Sequence, residues 1–347
     1  MKIAICGAGF SGSYLARRLV TEGIAKPSDI RLFEHEHRIR RKFEFVEDSS
    51  RPCASPCAFG IHRPTLIEAI ERTNIGEPDE FILQEFDHIV MGDIKPKADL
   101  CTFNKPLFEL MCVSGMTFSR SFLKFEDYDV IVDATAKRAL IGKIFSETLK
   151  EPLWIHTRQI RLDMKSPNIK ITRLKDGGVG YEWVFPLGDL GTHVGYGVIG
   201  EAEDKYESEK KICACGGRIR LSAPRYSFPL YTRLHNGDGA MLITVGESAG
   251  MISSVTGGGN KESIDGIEIL LKYWDDFPTA YDKIVDEFRW AEREFNIVSK
   301  LHEGKSLTLT DLKTIAKNAK RYDIKVGVKE AIVLVKNIIG DKFVRLV

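Results

Sequence analysis

The sequence opens on a short apolar run that leads directly into closely spaced glycines. Residues 2–6 read KIAIC, and residues 7–12 read GAGFSG, which fits the pattern G-x-G-x-x-G. Residues 10–23 then carry apolar side chains at helical spacing and end at a glycine, and residues 30–34 (IRLFE) form a second apolar run. This order predicts a strand, a tight turn, a helix and a second strand, which together make a dinucleotide-binding β-α-β unit.

The residues of this motif answer separate geometric requirements. We expect Gly7 to allow the tight turn, Gly9 to let the backbone approach a pyrophosphate, and Gly12 to let helix and strand pack closely. Ser11 lies in the first turn of the helix, where free N–H groups favour phosphate. Glu34 follows Gly12 by 22 residues and ends the second strand, where an acid would bind ribose hydroxyls. An acid there disfavours a 2′-phosphate, so FAD or NAD is expected rather than NADP.

The rest of the chain changes character several times. From residue 38 a basic stretch and a Pro/Cys-rich loop interrupt the pattern, and residues 128–134 (YDVIVDA) then read as a buried parallel strand. Residues 153–200 alternate in the manner of antiparallel strands, residues 240–246 return to the parallel style, and residues 278–347 read as helical. The prediction is an α/β fold whose Rossmann-like domain is discontinuous, with an inserted antiparallel-sheet domain and a short helical C-terminal region. Its boundaries are 1–75, 98–150 and 228–275 for the dinucleotide domain, 76–97 and 151–227 for the insert, and 276–347 for the helices.

Two later strand ends are predicted to meet the same ligand. Residues 240–260 read AMLITVGESAGMISSVTGGGN, in which a buried strand runs into glycines that open another helix. Residues 129–135 (DVIVDAT) supply a further strand end that carries Asp133. The candidate cofactor-binding residues at these ends are Asp133, Glu247, Gly250, Gly257, Gly258 and Gly259.

Taken together, five segments resemble the geranylgeranyl reductase family of FAD flavoproteins, within the para-hydroxybenzoate hydroxylase structural group. They are GAGFSG, Pro56-Cys57-Ala58-Phe59-Gly60 (family form P-C-x-x-G), DVIVDAT, Tyr181-x-Trp183-x-Phe185-Pro186 (family form Y-x-W-x-F-P) and VGESAGMISSVTGGG. They occur in family order over roughly residues 1–275. Three departures stand out: Glu247 replaces the usual aspartate, Asn260 and Lys261 follow the glycines where apolar or aromatic residues are more usual, and the chain is short for this family.

This resemblance implies FAD as cofactor and a role for each matched residue. Gly7, Gly9, Gly12 and Glu34 would hold the ADP half, Glu247 the ribityl and pyrophosphate region, and Gly257 to Gly259 the isoalloxazine ring. The catalytic candidates Cys57, Tyr181, Trp183 and Phe185 would face an isoprenoid or lipid chain beside the flavin. The implied reaction adds hydride from reduced flavin, together with a proton, to a carbon–carbon double bond. The electron donor, ferredoxin or nicotinamide, stays open.

Alternatives remain at this stage. Residues at i, i+2 and i+4 of a strand share one face, so the three aromatic side chains could simply fill a core. The chain could instead be an aromatic monooxygenase or halogenase on the same fold, or a flavin electron-transfer protein. Cys53 with Cys57, and Cys213 with Cys215, could form disulfides or bind a metal, but their spacings match no common zinc or ferredoxin motif, so no metal is expected.

Charge and hydropathy bear on partners and location. The formal net charge is +1, which gives no reason to expect a nucleic-acid partner. Residues 300–347 hold 11 basic and 5 acidic residues, and the segment AIVLVKNIIGDKFVRLV could lie on an anionic membrane surface or dock on the core. With no signal peptide expected, we predict a cytoplasmic protein that is soluble or peripheral at a membrane.

Overall fold

A computed structural model describes residues 1–49, 51, 57–119, 123–136, 151–174, 178–200, 211–226, 230–234 and 239–338. In chain order the strands are β1 (Ile3–Cys6), β2 (Ile30–Phe33), β3 (Gly60–His62), β4 (Ile82–Met91), β5 (Lys97–Phe103), β6 (Thr117–Phe118), β7 (Val130–Asp133), β8 (Leu153–Leu162), β9 (Ile169–Arg173), β10 (Gly180–Pro186), β11 (Thr192–Ile199), β12 (Lys211–Leu221), β13 (Tyr231–Arg233) and β14 (Met241–Thr244). The α-helices are α1 (Phe10–Thr21), α2 (Glu36–Glu47), α3 (Arg63–Thr73), α4 (Pro78–Phe81), α5 (Lys105–Cys112), α6 (Asn260–Lys272), α7 (Phe277–Glu287), α8 (Arg289–His302), α9 (Leu309–Ala319) and α10 (Val328–Ile338).

The first sheet contains the predicted β-α-β unit. Its strand order within the described residues is β13-β14-β7-β1-β2-β6, and its pairs are parallel except for β13 with β14. Strands β1 and β7 are buried along their whole length, as expected for strands covered on both faces. Helix α1 packs on one face, where Ile3 and Ile5 contact its apolar side, and the alternate residues Ala4 and Cys6 face a second cluster. The predicted strands and helix of residues 2–34 are confirmed.

The second sheet is largely antiparallel, as the alternating pattern predicts. Its strand order, again within the described residues, is β12-β8-β11-β10-β9-β4-β5-β3, with only β4 and β9 parallel. This sheet takes in β3 and the whole of β5, so it extends beyond the boundaries 76–97 and 151–227 that the sequence indicates. The division into domains itself stays a prediction.

Helix α2 differs from the sequence-based interpretation, which reads a break in pattern from residue 38. Residues Glu36–Glu47 form a regular helix in which only Lys42 and Phe45 are buried. The many charged residues of this segment hide its narrow buried face, because Lys42 counts as polar in any hydropathy pattern. The irregular segment therefore begins after Glu47, whereas the sequence pattern places its start at residue 38.

The last two helices, α9 and α10, pack on the second sheet, whereas α7 packs on the core of the first sheet. Ala316, Ile324 and Ala331 share an apolar cluster with Trp183 of the central strand β10. Helix α10 contacts β4 and β9, and its Ala331 and Val335 are buried. Residues 339–347, which complete the predicted basic amphipathic segment, lie outside the described part of the chain. None of the helices within the described ranges has the length and apolar character needed to span a bilayer.

Candidate functional site

The glycines of the turn between β1 and α1 are of two kinds. A Cβ on Gly7, whose φ is +103°, or on Gly12 would overlap backbone carbonyl oxygens of Ala134 and Gly7 respectively. These two glycines are therefore needed for the turn and for packing against the end of β7. Gly9 is different, because its φ is −78° and a Cβ there would have no protein atom within 4 Å. The turn thus leaves an open approach to the backbone of Gly9.

Glu34 lies against this turn, directly after β2. Its side chain is 7% exposed, and its carboxylate accepts hydrogen bonds from the backbone N–H of Ala8 (3.2 Å) and of His35 (2.8 Å). The Arg38 guanidinium lies 3.8 Å away. The strand end therefore delivers a fixed carboxylate to the edge of the glycine-rich turn, as the spacing predicts.

A buried ion pair, which no sequence pattern indicates, contacts the backbone of the same turn. The Lys42 ammonium donates to the Ala8 carbonyl oxygen and lies 2.7 Å from a carboxylate oxygen of Glu109. The Lys42 and Glu109 side chains are 9% and 5% exposed. Helices α2 and α5 are thereby joined to each other and to the backbone of the turn.

Removing one partner of this pair should destabilise the chain. We expect Lys42→Met to lower the free energy of unfolding by about 3 kcal/mol, because Glu109 would be left as a buried carboxylate with weaker compensation. Chemical denaturation of the variant measures this loss. Arg41→Met is the matched control, since Arg41 is exposed on the same helix. Equal stability of the two variants would show that the buried pair contributes nothing.

Asp133 joins two of the predicted strand ends. The residue is fully buried, and its Oδ1 accepts hydrogen bonds from the Thr135 N–H (2.9 Å), the Thr135 hydroxyl (2.6 Å) and the Ser248 hydroxyl (3.3 Å). Gly250, whose φ is +71°, ends the short turn that contains Ser248. The sheet thus holds the ends of β7 and β14 side by side.

The first turn also contacts the second glycine-rich segment directly. Ser11 donates a hydrogen bond to the Ser263 hydroxyl of α6 (2.8 Å), and a Cβ on Gly246 would overlap the Ser11 side chain. The Glu247 carboxylate accepts a hydrogen bond from the backbone N–H of Arg220 (2.8 Å). The two motifs, separated by more than two hundred residues in sequence, form one continuous surface.

Arg220 adds a buried guanidinium to this region. It is 2% exposed, and burial lowers the pKa of the guanidinium while the charges of Glu247 and Asp133 oppose that shift. No sequence pattern indicates this burial, because an arginine in strand β12 is expected to face solvent. Its position gives the strand-end region a positive charge among carboxylates.

The loop Thr256–Gly259 brings the first aromatic residue of β10 to the start of α6. The Tyr181 hydroxyl donates to the Thr256 carbonyl oxygen, and a Cβ on Gly257 would lie 3.6 Å from that hydroxyl. Gly257 has a φ of +65°, and Gly259 is the N-cap of α6. The end of β10 and the glycine loop are therefore in contact.

Trp183 and Phe185 lie further along the same strand face. Trp183 is 8% exposed, and its ring covers Gly195 and Gly197 of the neighbouring strand, where a Cβ on Gly195 would come within 2.6 Å of the indole. Phe185 is half-buried over Gly60, which leaves no room for a Cβ on that glycine. Trp183 is therefore a packed residue, and the expectation that these aromatics fill a core holds for it at least in part.

Cys57 lies in a cluster of polar side chains from distant parts of the chain. Its sulfur accepts from the side-chain amide of Asn260 at 3.9 Å and is hydrogen-bonded to the Lys105 ammonium. The Lys105 ammonium also donates to the Asn260 amide oxygen (3.2 Å). Burial opposes the charge on Lys105, but Cys57 and Glu109 outweigh it and keep the pKa of Lys105 above its ordinary value. A cation therefore stands beside the thiol at the start of α6.

Gln159 links this cluster to Trp183. Its amide N–H donates to the Cys57 carbonyl oxygen (3.2 Å) and lies 3.9 Å from the Cys215 sulfur, while its amide oxygen accepts from the Trp183 indole N–H (3.0 Å). Among the described residues, Cys57, Cys213 and Cys215 are not joined by a disulfide, and Cys53 lies outside that part of the chain. Within the described ranges, no group of three or more His, Cys, Asp or Glu side chains could hold a metal ion.

Sequence comparisons give no family for this chain. No protein-family model matches the sequence. A search of curated proteins also gives no significant match.

Solved structures share its fold despite low sequence identity. A geranylgeranyl bacteriochlorophyll reductase-like protein from Thermoplasma acidophilum aligns over 96% of this chain and 95% of its own, with a TM-score of 0.64 and 16% identity. A flavoprotein/dehydrogenase from Cytophaga hutchinsonii aligns over 96% and 91%, with a TM-score of 0.59 and 14% identity. The flavin-dependent halogenase CmlS aligns over 87% and 65%, with a TM-score of 0.57 and 12% identity. The predicted α/β fold class, with a Rossmann-like domain and an antiparallel sheet, is confirmed, as is the resemblance in fold to a geranylgeranyl reductase-like protein.

Proposed function

We propose that this chain is an FAD-dependent reductase that hydrogenates carbon–carbon double bonds of an isoprenoid or lipid substrate. The observation that carries the proposal is the contact between β10 and the loop Thr256–Gly259, because it joins the aromatic Y-x-W-x-F-P strand to the second glycine-rich motif. The similarity in fold to a geranylgeranyl reductase-like protein and to other flavin-dependent enzymes supports it.

The described residues fit FAD along its length. Gly9 leaves its backbone open where a pyrophosphate would approach the N-terminus of α1, and Glu34 offers a carboxylate for the ribose. Glu247 and Arg220 lie further along, where the ribityl chain would pass. Gly257 to Gly259 would border the isoalloxazine ring. Bound in reduced form, FAD supplies the hydride for the reaction.

The chain's own residues set the electrostatics at the reactive end. The N-terminus of α6 and the Lys105 ammonium both favour a negative charge, because helix N–H dipoles and a buried cation act in the same sense. Cys57 places a thiol beside them. Tyr181 and Phe185 provide half-buried aromatic surface along the strand for an apolar chain.

The experiment that tests this proposal is an anaerobic reoxidation. The FAD-loaded protein is reduced chemically, mixed with a geranylgeranyl lipid and followed by the return of the oxidised flavin spectrum. We expect reoxidation with the unsaturated lipid, with loss of double bonds seen by mass spectrometry, and none with the fully saturated lipid. Reduced protein that reacts with neither would overturn the proposal.

A second candidate is an aromatic monooxygenase or halogenase, favoured by the similarity in fold to flavin-dependent halogenases. In that case the reduced protein would be reoxidised by dioxygen rather than by the lipid. Consumption of NADPH would then be stimulated by an aromatic compound, and an oxygen or halogen atom would appear in the product. Because dioxygen also reoxidises the reduced flavin of a reductase, the product separates the two functions.

A further inference from the structure

The segment that joins α9 to α10 is fastened to the candidate site by three consecutive residues. Arg321 lies 3.1 Å from the Asp265 carboxylate of α6, Tyr322 donates its hydroxyl to Glu262 of the same helix, and Asp323 lies 2.9 Å from His62. The Tyr322 hydroxyl also lies near the glycine loop. A Cβ on Gly258 would lie 4.0 Å from that hydroxyl.

Tyr322 also packs on the apolar cluster that contains Trp183 of β10. Tyr181 and Phe185 of the same strand pack on that cluster as well. The Tyr322 hydroxyl is hydrogen-bonded to Thr256 as well as to Glu262, and burial together with the charges of Glu262 and Glu294 raises the pKa of Tyr322 well above its ordinary value. The Tyr322 side chain therefore runs from the apolar cluster to the loop that would border the flavin.

Glu262 differs from the other buried carboxylate near Tyr322. Glu294 accepts hydrogen bonds from Ser253 (2.7 Å) and Asn318 (3.0 Å), so its oxygens are committed to holding the loop and α9. Glu262 is 1% exposed, and its side-chain partner is the Tyr322 hydroxyl. Burial raises the pKa of Glu262 to about 7, although the hydrogen bond from Tyr322 lowers it. Glu262 can therefore carry a proton near neutral pH.

We propose that Tyr322 donates the proton that completes reduction of the double bond, and that Glu262 returns a proton to Tyr322. The inference rests on the proposed reductase function. The O–H bond of Tyr322 breaks and a C–H bond forms at the alkene carbon that does not receive hydride, and the phenolate oxygen keeps the electron pair. The Glu262 carboxyl proton then moves to that oxygen, and the carboxylate regains a proton from water. The two electrons of the reduction come with the hydride that reduced FAD supplies.

The first test uses Tyr322→Phe in the anaerobic reoxidation described above. A positioned general acid contributes about 10²- to 10⁴-fold, so we expect the alkene-dependent reoxidation rate to fall by about that factor while bound FAD is unchanged. Tyr273→Phe, at the C-terminal end of α6, is the matched control and should keep the wild-type rate. Wild-type rates in both variants would overturn the role of Tyr322 but leave the reductase function standing. A wild-type protein that no alkene reoxidises would overturn both.

The second test measures the protonation of Glu262 through the pH dependence of the chain's stability, without any turnover. Because the folded pKa of Glu262 is raised above its ordinary value of 4.5, the folded chain binds the extra proton between about pH 4.5 and about pH 7, and stability falls as pH rises through that window. The charged groups that act on Glu262 are Asp265, which raises its pKa, and Lys261, which lowers it, with Tyr322 across the hydrogen bond.

Glu262→Gln should abolish this loss of stability with rising pH. Denaturation of the FAD-free chain at about pH 5 and about pH 8 should show the variant gaining stability relative to wild type as pH rises. In the reoxidation assay the wild-type rate should decline above about pH 7. The rate of Glu262→Gln should be lower than that of the wild type and should not decline over the same range. Parallel pH profiles in both measurements would show that Glu262 does not hold an exchangeable proton, and would overturn its role as the source for Tyr322.

Discussion

Gly9→Val is expected to give a folded protein that no longer binds FAD. The backbone at Gly9 has a φ of −78°, which any residue adopts, and a Cβ there would meet no atom of the protein within 4 Å. The added isopropyl group would instead fill the approach to the backbone that a pyrophosphate needs. Flavin content after reconstitution, measured by absorbance, should fall from about one per chain to near zero.

Two comparisons make this result specific. Ser28→Val adds the same side chain at an exposed position of the same β-α-β unit and should leave flavin content unchanged. Gly12→Ala should destabilise the chain even without FAD, because its Cβ would overlap the Gly7 carbonyl oxygen. Normal flavin content in Gly9→Val would show that the first glycine motif does not hold the cofactor.

The second large effect is expected from Trp183→Ala. The indole is 8% exposed, it fills the space over Gly195 and Gly197, and its N–H donates to Gln159. Truncating a buried tryptophan costs about 3–5 kcal/mol, and the amide of Gln159 would lose its partner as well. Chemical denaturation of the FAD-free variant should show that loss.

Trp183→Phe separates packing from catalysis. It keeps a buried aromatic ring but removes the hydrogen bond to Gln159 and leaves a small cavity, so we expect a loss of about 1–2 kcal/mol, smaller than for Trp183→Ala. If Trp183 also contacts the substrate, Trp183→Phe should slow reoxidation by a long isoprenoid lipid while flavin content stays normal. A fully stable Trp183→Ala variant would contradict the packed position of the indole, and unchanged turnover in Trp183→Phe would reduce Trp183 to a core residue.

The parts of the fold that were predicted from sequence are those fixed by neighbouring residues. The β-α-β unit of residues 2–34 depends on apolar spacing and on glycines within one short segment, and so do the alternating strands of residues 153–200. Helix α2 was missed because its buried face includes Lys42, whose partner Glu109 lies 67 residues away in sequence. No local pattern distinguishes such a lysine from a solvent-facing one.

The candidate site shows the same limit. Glu34 and the glycines were found because they belong to a motif with fixed spacing, and Tyr181, Trp183 and Phe185 because they match a family pattern. Their roles remain predictions. Lys105, Gln159 and Asn260 meet Cys57 only through the topology of the two sheets, as each comes from a different element. Tyr322 joins the site from the far end of the chain, where the sequence suggests only a basic helical tail.

The most direct test of this account is a crystal structure of the chain grown with FAD. We expect one FAD per chain, with the adenosine ribose on Glu34 and the pyrophosphate over Gly9. The isoalloxazine ring should lie beside Gly257 to Gly259, on the side that Tyr322 and Tyr181 approach. Electron density for FAD at any other place, or a chain that takes up no FAD while its two sheets are intact, would contradict it.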